Sequence, residues 1–269
     1  MRTVGQFLSP NRHAEIAPVE IVDRPLVGYA KDYPTGLVAE AHSHPKAQLI
    51  YAMSGVMHVE TATSSFTVPP SIALLMPADV FHSIYMDGAV AMRTLFLQPE
   101  AAPSVFSKCK VITVTPLLRE LILAACSEPL EWDVTGRGTH ITALALNEIE
   151  KSSFLPLEIP LPSSPRLRHV TEALQAFPAN PKSLEDWAQT AGASDRTLAR
   201  LFQKELGMSF RQWRQQVRLT AALAALSLNQ STAQASEIAG FDSLPAFGAA
   251  FRKFFGITPR HAQNDALSR

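Results

Sequence analysis

The chain is short of cysteine, of long apolar runs and of net charge, and each shortage excludes something. Only two cysteines occur in 269 residues, Cys109 and Cys126. They lie in different segments, without CxxC spacing or an adjacent histidine. Neither a disulfide framework nor a cysteine metal site is expected, and both read as core thiols in a reducing cytosol. No apolar stretch approaches the roughly 20 residues of a membrane helix. Residues 1–16, MRTVGQFLSPNRHAEI, lack the continuous apolar core of a secretory leader. A cytoplasmic protein with no membrane partner is expected. Formal net charge is zero, but the zero conceals a split. Residues 1–165 hold 11 Lys and Arg against 16 Asp and Glu, and residues 166–269 hold 13 against 8. One end is suited to meet phosphates and the other is not.

With 46% hydrophobic residues, the chain is long enough for two modest domains with cores of their own. From about Val19 to Gln98, short alternating stretches punctuated by Gly, Pro and Ser read as closely spaced strands of a small barrel or sandwich. The texture changes after residues 100–104. Thr115 before Pro116 reads as an N-cap with proline at the first helical position. It opens a helix through Cys126 with Leu117, Leu121, Ile122 and Ala125 on one side. A second helix is expected over Thr139–Ser152, with Ile141, Leu144, Ala145 and Ile149 facing in. Residues 155–166 carry four prolines and read as a linker. Everything after them reads as helical. The expected organisation is a β domain over 1–105, a helical segment with linker over 106–165, and an all-α domain over 166–269, which makes the chain α+β.

The all-α part writes one pattern twice. The first copy is Ala188-x-x-x-Gly192, Ser194, Leu198, Phe202, Gly207, Ser209; the second is Ser236-x-x-x-Gly240, Ser243, Phe247, Phe251, Gly256, Thr258. Each reads as a helix, a turn entered through glycine, a capping serine and a second helix with an apolar stripe. That is the layout of a helix-turn-helix, whose second helix fits a DNA major groove. In the first unit Leu198, Leu201, Phe202 and Leu206 form the inward stripe. Arg196, Arg200 and Gln203 share the other side with Thr197 and Lys204, behind Ser194 as cap. Such side chains pair with guanine, adenine or phosphate. In the second unit Phe247, Ala250, Phe251 and Phe254 face in, while Leu244, Pro245, Ala249, Arg252 and Lys253 face out behind Ser243. That helix is expected to use phosphates and thymine methyls, so Arg196 and Arg200 are the main base-reading candidates. Between the units, Phe210–Leu228 reads as one helix of about five turns. It is a rod able to hold two recognition helices about 34 Å apart, one turn of duplex. Its Arg211, Arg214 and Arg218 are expected to reach phosphates or to pair with acids.

On these residues the chain resembles the AraC/XylS family of transcription regulators. SLEDWAQTAGASDRTLARLFQKELGMSFRQWRQQVRL and GFDSLPAFGAAFRKFFGITP hold two motifs, the connecting helix and the FGITP ending in order, within about residues 166–262. The resemblance implies a bacterial regulator that binds double-stranded promoter DNA and contacts RNA polymerase. One departure stands out: Ala235, Ser236 and Ala239 occupy positions where the family usually carries larger apolar residues, so looser packing of that helix is expected.

In the acidic half, Gly36-x5-His42-x-His44-x3-Gln48-x6-Gly55 and Pro77-x4-His82 resemble the two cupin motifs, with Gln48 where Glu is usual and Asp79 where Gly is usual. The resemblance implies an N-terminal cupin-like β-barrel that senses a ligand. Two residues apart on a strand, His42 and His44 would share a face, and His82 could approach from a neighbouring strand. Three imidazoles would make a site for a divalent transition metal such as Zn, Ni, Cu or Fe, with Gln48 a weak fourth ligand. An organic small molecule held without metal is the other reading, with Tyr51, Met53, Phe81 and Tyr85 as candidate lining. His58 and His140 are expected to do no chemistry. In the resembled family, helices like those over 115–152 form a homodimer interface, here through Leu117, Leu121 and Leu144. The function expected is a ligand-responsive DNA-binding regulator and not an enzyme. The alternative is a metal-dependent cupin enzyme, such as a dioxygenase or isomerase, with an appended DNA-binding domain.

Overall fold

A computed structural model describes residues 12–102 and 105–267; the expectation of no leader in residues 1–16 falls mainly outside the described residues. The chain divides into two compact units. One holds the described residues up to Thr61 with Val68–Pro156, and the other holds Ala62–Thr67 with the described residues from Leu157 on.

The first unit opens with α1 (Arg12–Ile21), a helix its sequence conceals because Pro18 stands inside it. There follow β1 (Leu26–Tyr33), β2 (Val38–His42), β3 (Ala47–Ile50) and β4 (Val56–Thr61). After the segment of the second unit that holds most of β5 (Ser64–Val68), the first unit continues with β6 (Ile72–Met76), β7 (His82–Asp87), β8 (Val90–Leu97) and β9 (Lys110–Thr113). The helices α2 (Pro116–Ser127) and α3 (Arg137–Lys151) and the short β10 (Phe154–Leu155) complete it. One sheet runs β1-β8-β3-β6-β9-β10, and the other has β4, β7 and β2 in that order. The recorded pairings are antiparallel. Strands distant in sequence alternate within each sheet, as in a Greek-key, jelly-roll sandwich.

Strand alternation sorts the core into two layers. Ala47, Leu49 and Tyr51, with Ala73, Leu75, Leu95 and Leu97, lie on one face of the larger sheet. Leu118, Leu121, Ile122 and Ala125 of α2 and Ile141, Ala145 and Ile149 of α3 cover them. The approach is close: a Cβ on Gly28 of β1 would lie 2.4 Å from the main chain of Ala125. Thr115 caps α2, accepting from the Leu118 amide at 3.1 Å, as its sequence predicts. The buried stripes, however, run one residue away from two expected positions, since Leu117 and Leu144 are 50% and 51% exposed. The opposite face of the sheet carries Val27 and Phe96, against which Ile16, Val19 and Val22 of α1 and its following turn pack. The buried Lys46 ammonium donates to the Val22 carbonyl at 2.6 Å and ties that turn down.

The second unit contains β5, β11 (Ile159–Pro160) and seven helices. These are α4 (Pro165–Ala176), α5 (Leu184–Thr190), α6 (Asp195–Leu206), α7 (Phe210–Ser227), α8 (Thr232–Ile238), α9 (Leu244–Phe255) and α10 (Pro259–Leu267). Residues 157–164, read from sequence as part of a linker, are tied down. Ile159 pairs with Ser65 of β5, and Leu157 and Ile159 are buried. The Trp213 indole of α7 donates to the Pro160 carbonyl at 3.0 Å, and the Gln216 amide donates to the Glu158 carbonyl at 2.7 Å. Pro160 and Pro162 therefore mark an extended strap whose Glu158 and Pro160 carbonyls are satisfied by α7.

Candidate functional site

Three imidazoles meet in the first unit. One ring nitrogen from each of His42, His44 and His82 lies within 4.8 Å of the others. The ring centroids of His42 stand 4.8 Å from those of His44 and 4.5 Å from those of His82. The backbone reason differs from the one the sequence suggests. β2 ends at His42, so His44 lies in the following turn and not two residues along a strand. In β7 the buried residues are His82, Ile84 and Met86. Ala39 of β2 pairs with Ile84 and His42 with His82, across an irregularity in register between Ala39 and His42. Simple alternation from Ala39 would turn residue 42 away from the buried side; the bulge adds a residue and brings His42 onto the face of His82.

Each ring is oriented by an oxygen. The Nδ1 of His42 lies 2.6 Å from the Glu40 carbonyl, that of His82 2.9 Å from the Val80 carbonyl, and that of His44 2.6 Å from the Glu20 carboxylate. These oxygens can only accept, so each Nδ1 carries the proton and, in the neutral ring, the lone pair is on Nε2. A protonated Nδ1 on an oxygen and a basic Nε2 is the arrangement that metal-binding histidines adopt. The donor set therefore fits a transition metal ion. Zinc–nitrogen distances of about 2.0–2.1 Å place tetrahedral ligands roughly 3.4 Å apart, so the rings would draw together on binding.

Tyr51, Met53, Phe81 and Tyr85 do not gather around the cluster as a lining. Gln48 is buried on β3; its Nε2 donates to Thr94 Oγ1 at 3.1 Å, and its Oε1 has no hydrogen-bond partner. Tyr51 and Met53 pack into the core shared with α2 and α3, on the sheet face opposite to Gln48. Phe81 is 65% exposed. Tyr85 alternates out of phase with His82 and stacks on His58 at 6.0 Å, while His58 faces Asp87 at 3.3 Å. The four candidate pocket residues thus point to three different surroundings, because strand parity separates what proximity in sequence suggested. Glu20 is the residue that sequence reasoning missed: it lies on a helix hidden by Pro18, 24 positions from its partner.

The second unit repeats its geometry as its sequence does. The supporting helices α5 and α8 have seven residues each, and both start in a capping box, Ser183 with Asp186 and Ser231 with Gln234. Gly192 and Gly240 make the turns at φ +61 and +64. The recognition helices α6 and α9 have twelve residues each. Ser194 caps the first and Ser243 the second, and left-handed Gly207 and Gly256 end them. Leu198, Phe202 and Leu206 are buried on α6, and Phe247 and Phe251 on α9. On the other side Arg196, Arg200, Gln203 and Lys204 are exposed, as are Leu244, Pro245, Arg252 and Lys253. Thr197 is half-buried, its hydroxyl 2.9 Å from that of Ser194. Glu205 holds α6 to the start of α4, accepting from the amides of Ser163 and Ser164 at 3.1 and 2.9 Å. Burial pushes its carboxyl up, but these hydrogen bonds outweigh it and hold it below the usual carboxylate range.

Two arginines of α7 have found partners other than those expected. Arg214 donates to the Lys182 carbonyl at 2.9 Å and lies over Phe210. Arg218 donates to the Ala239 carbonyl and lies over Phe241. One guanidinium therefore holds the chain entering α5 and the other the chain leaving α8, so α7 is clamped to both helix-turn-helix units. Arg211 remains exposed. Looser packing of α8 is not observed: Ala235 and Ala239 are 0% exposed and Ser236 is 4% exposed. Their small side chains let α8 lie close against the end of α7, where Leu219, Leu223 and Leu226 are buried.

Known proteins bear directly on these two sites. The family description "AraC-like ligand binding domain" matches residues 25–139, and "Helix-turn-helix domain" matches residues 187–265. The HTH-type transcriptional regulator NimR of Escherichia coli K12 is 32% identical over 223 residues, which cover 83% of this chain and 81% of that protein. The chain belongs to the AraC family of transcriptional regulators. RipA of Corynebacterium glutamicum is 37% identical over 100 residues, 37% of this chain and 30% of that protein. An AraC-type DNA-binding regulator of known structure from Chromobacterium violaceum is 32% identical, with 38% of this chain and 92% of that chain covered at a TM-score of 0.36.

This AraC-family chain is a transcriptional regulator with an N-terminal ligand-binding domain and a DNA-binding helix-turn-helix domain. Its departure at Asp79 has a conformational meaning, since Asp79 adopts φ +60, a left-handed value that glycine reaches without strain. The two turn glycines differ in surroundings. A Cβ on Gly192 would meet nothing within 4 Å, whereas one on Gly240 would lie 2.7 Å from Ala179 Cα and from the Arg218 guanidinium. Gly240→Ala is expected to destabilise the protein by clearly more than Gly192→Ala, which should lose only about 1 kcal/mol from the backbone conformation. Denaturant unfolding of the full chain measures both; equal losses would show that the close approach at Gly240 carries no energy.

Proposed function

We propose that this regulator works in the cytoplasm as a homodimer on promoter DNA, and that a divalent transition metal ion held by His42, His44 and His82 sets its occupancy. The orientation of all three imidazoles by oxygens on Nδ1 carries this reading. A bound ion would link the end of β2, the following turn and β7, and so favour one arrangement of the ligand-binding domain over others. Support for an organic effector as second reading comes from Gln48, whose buried Oε1 would accept a hydrogen bond from such a molecule. A metal-dependent enzyme has weaker support, because among the described residues the cluster contains no carboxylate ligand beside the three rings and the relatives are regulators. Contact with RNA polymerase follows from the family as part of this reading.

On DNA, α6 is the base reader. Its exposed Arg196, Arg200 and Gln203 suit guanine and adenine edges, Lys204 suits phosphate, and the N-terminus capped by Ser194, with Thr197 beside it, suits the backbone. On α9, Leu244 is 51% exposed and with Pro245 suits thymine methyls, while Ser243, Arg252 and Lys253 suit phosphates. Arg200→Ala is expected to weaken binding to the DNA upstream of its own gene by about 1–3 kcal/mol and to relax specificity there. Unchanged affinity in a titration at fixed salt would remove α6 from the role of reader.

The dimer reading rests on Leu117 and Leu144, half-exposed on α2 and α3, with Phe154 54% exposed on β10. Leu121 is 7% exposed within the core and cannot serve. Light scattering at micromolar concentration should return twice the chain mass, and a monomer would end this part of the proposal. For the sensor, His42→Ala is expected to lose the metal ion that the wild-type chain retains after dialysis. Equal metal content in the two, read by elemental analysis, would rule out the histidine site.

A further inference from the structure

Glu20 enters neither the sequence motifs nor the ligand set, yet its carboxylate lies 2.6 Å from Nδ1 of His44. The ring is 5% exposed and the carboxylate 21% exposed. We infer that Glu20 is the positioning residue of the histidine cluster: it accepts the Nδ1 proton of His44 and so fixes the tautomer and ring plane that turn Nε2 toward a transition metal ion. This inference rests on the metal reading given above. The rings of His42 and His82 are oriented by main-chain carbonyls, which no side-chain substitution removes. His44 depends on a side chain from α1. A carboxylate is a stronger acceptor than a carbonyl, and it raises the basicity of the ring nitrogen that faces the metal.

Support of the fold alone does not account for Glu20. α1 is already anchored by Ile16 and Val19, and the turn after it by Val22, on Val27 and Phe96, and Lys46 holds the Val22 carbonyl. The His44 ring sits edge-on to Phe96 at 5.0 Å. With the carboxylate gone, α1 keeps its apolar seat. What is lost is the carboxylate acceptor that holds the proton on Nδ1 of His44, and a ring in the other tautomer offers the metal an N–H.

The test uses the full chain freed of metal by chelator and titrated with Zn(II) alone against a chromophoric competitor. Glu20→Ala is expected to bind Zn(II) about 10–100-fold more weakly than wild type. Glu20→Gln, which keeps an acceptor oxygen, should recover most of that affinity. In the metal-free protein, nitrogen-15 NMR of His44 should report a protonated Nδ1 and a bare Nε2 in wild type and a mixture of tautomers in Glu20→Ala. The metal-free melting temperature should stay within about 2 °C of wild type. Equal Zn(II) affinity of Glu20→Ala and wild type overturns the inference and leaves the metal reading intact. So does an unchanged tautomer accompanied by a lowered melting temperature, which would make the residue a support of the fold. A wild-type chain that takes up no Zn(II) overturns the metal reading and this inference together.

Discussion

The second unit depends on one helix. α7 buries Trp213, Leu219, Ala222 and Leu226 completely, and its two halves belong to different cores. Phe210, Trp213 and Val217 share a cluster with Trp187, Leu198 and Phe202 of the first helix-turn-helix, while the C-terminal half packs on α8 and α10. Eighteen residues at 1.5 Å each make it about 27 Å long. A rod of that length, packed along both ends, gives both helix-turn-helix units one common support. The arginine bonds to the Lys182 and Ala239 carbonyls add direction to packing that is otherwise non-directional. Both are half-buried charges held against carbonyls and aromatic faces, and burial lowers the pKa of each. Ala239 stands where α8 ends and carbonyls lack intrahelical partners, and Arg218 donates to it, while Arg214 donates to the Lys182 carbonyl in the chain ahead of α5.

In the first unit the corresponding constraint is parity. A strand offers alternate residues to opposite faces, and the larger sheet needs both, one for α2 and α3 and the other for the sandwich interior and α1. That division sends Tyr51 to the helices and keeps Gln48 inside. It would also have kept His42 away from His82 had β2 been regular. One inserted residue between Ala39 and His42 is enough to reverse the outcome. The left-handed turn at Asp79 acts in the same region: its amide donates to the His44 carbonyl at 2.7 Å, so the turn before β7 and the turn after β2 are stitched together beside the rings.

Local patterns in the sequence carried far. Capping serines, turn glycines and the 3.6-residue stripes of the repeat are each set by chemistry within one helical turn, so both helix-turn-helix units, the rod and the cap of α2 could be read directly. The histidine trio could be read as residue types but not as geometry, because a bulge leaves no mark in composition. Misplacement of Leu117 and Leu144 has a simple cause. A stripe of leucines and alanines is broad, so Leu118 is buried in place of Leu117, and Ala145, already in the expected stripe, is buried where its neighbour Leu144 is not, without disturbing the period. Glu20, the strap at residues 157–164 and the bonds of Arg214 and Arg218 are all long-range. Each depends on which carbonyl or ring nitrogen another element presents, and no spacing rule within one element encodes that.

The same long-range detail bears on what the histidine cluster is for. Chemistry on a substrate needs a group free to take or give a proton near the reacting atoms. Here the carboxylate that reaches the rings spends its acceptor on Nδ1 of His44, the side remote from the lone pair. Glu40, which lies on β2 next to the cluster in sequence, is exposed and contributes its carbonyl to His42. Among the described residues, the Glu20 carboxylate therefore orients one imidazole, while Glu40 orients another only through its main-chain carbonyl. Under the sensor reading proposed above, the response would be the difference in stability between the occupied and vacant states. In that reading, occupancy would draw on two elements distant in sequence, because His44 is reached through α1 and His42 through a bulge at the end of β2.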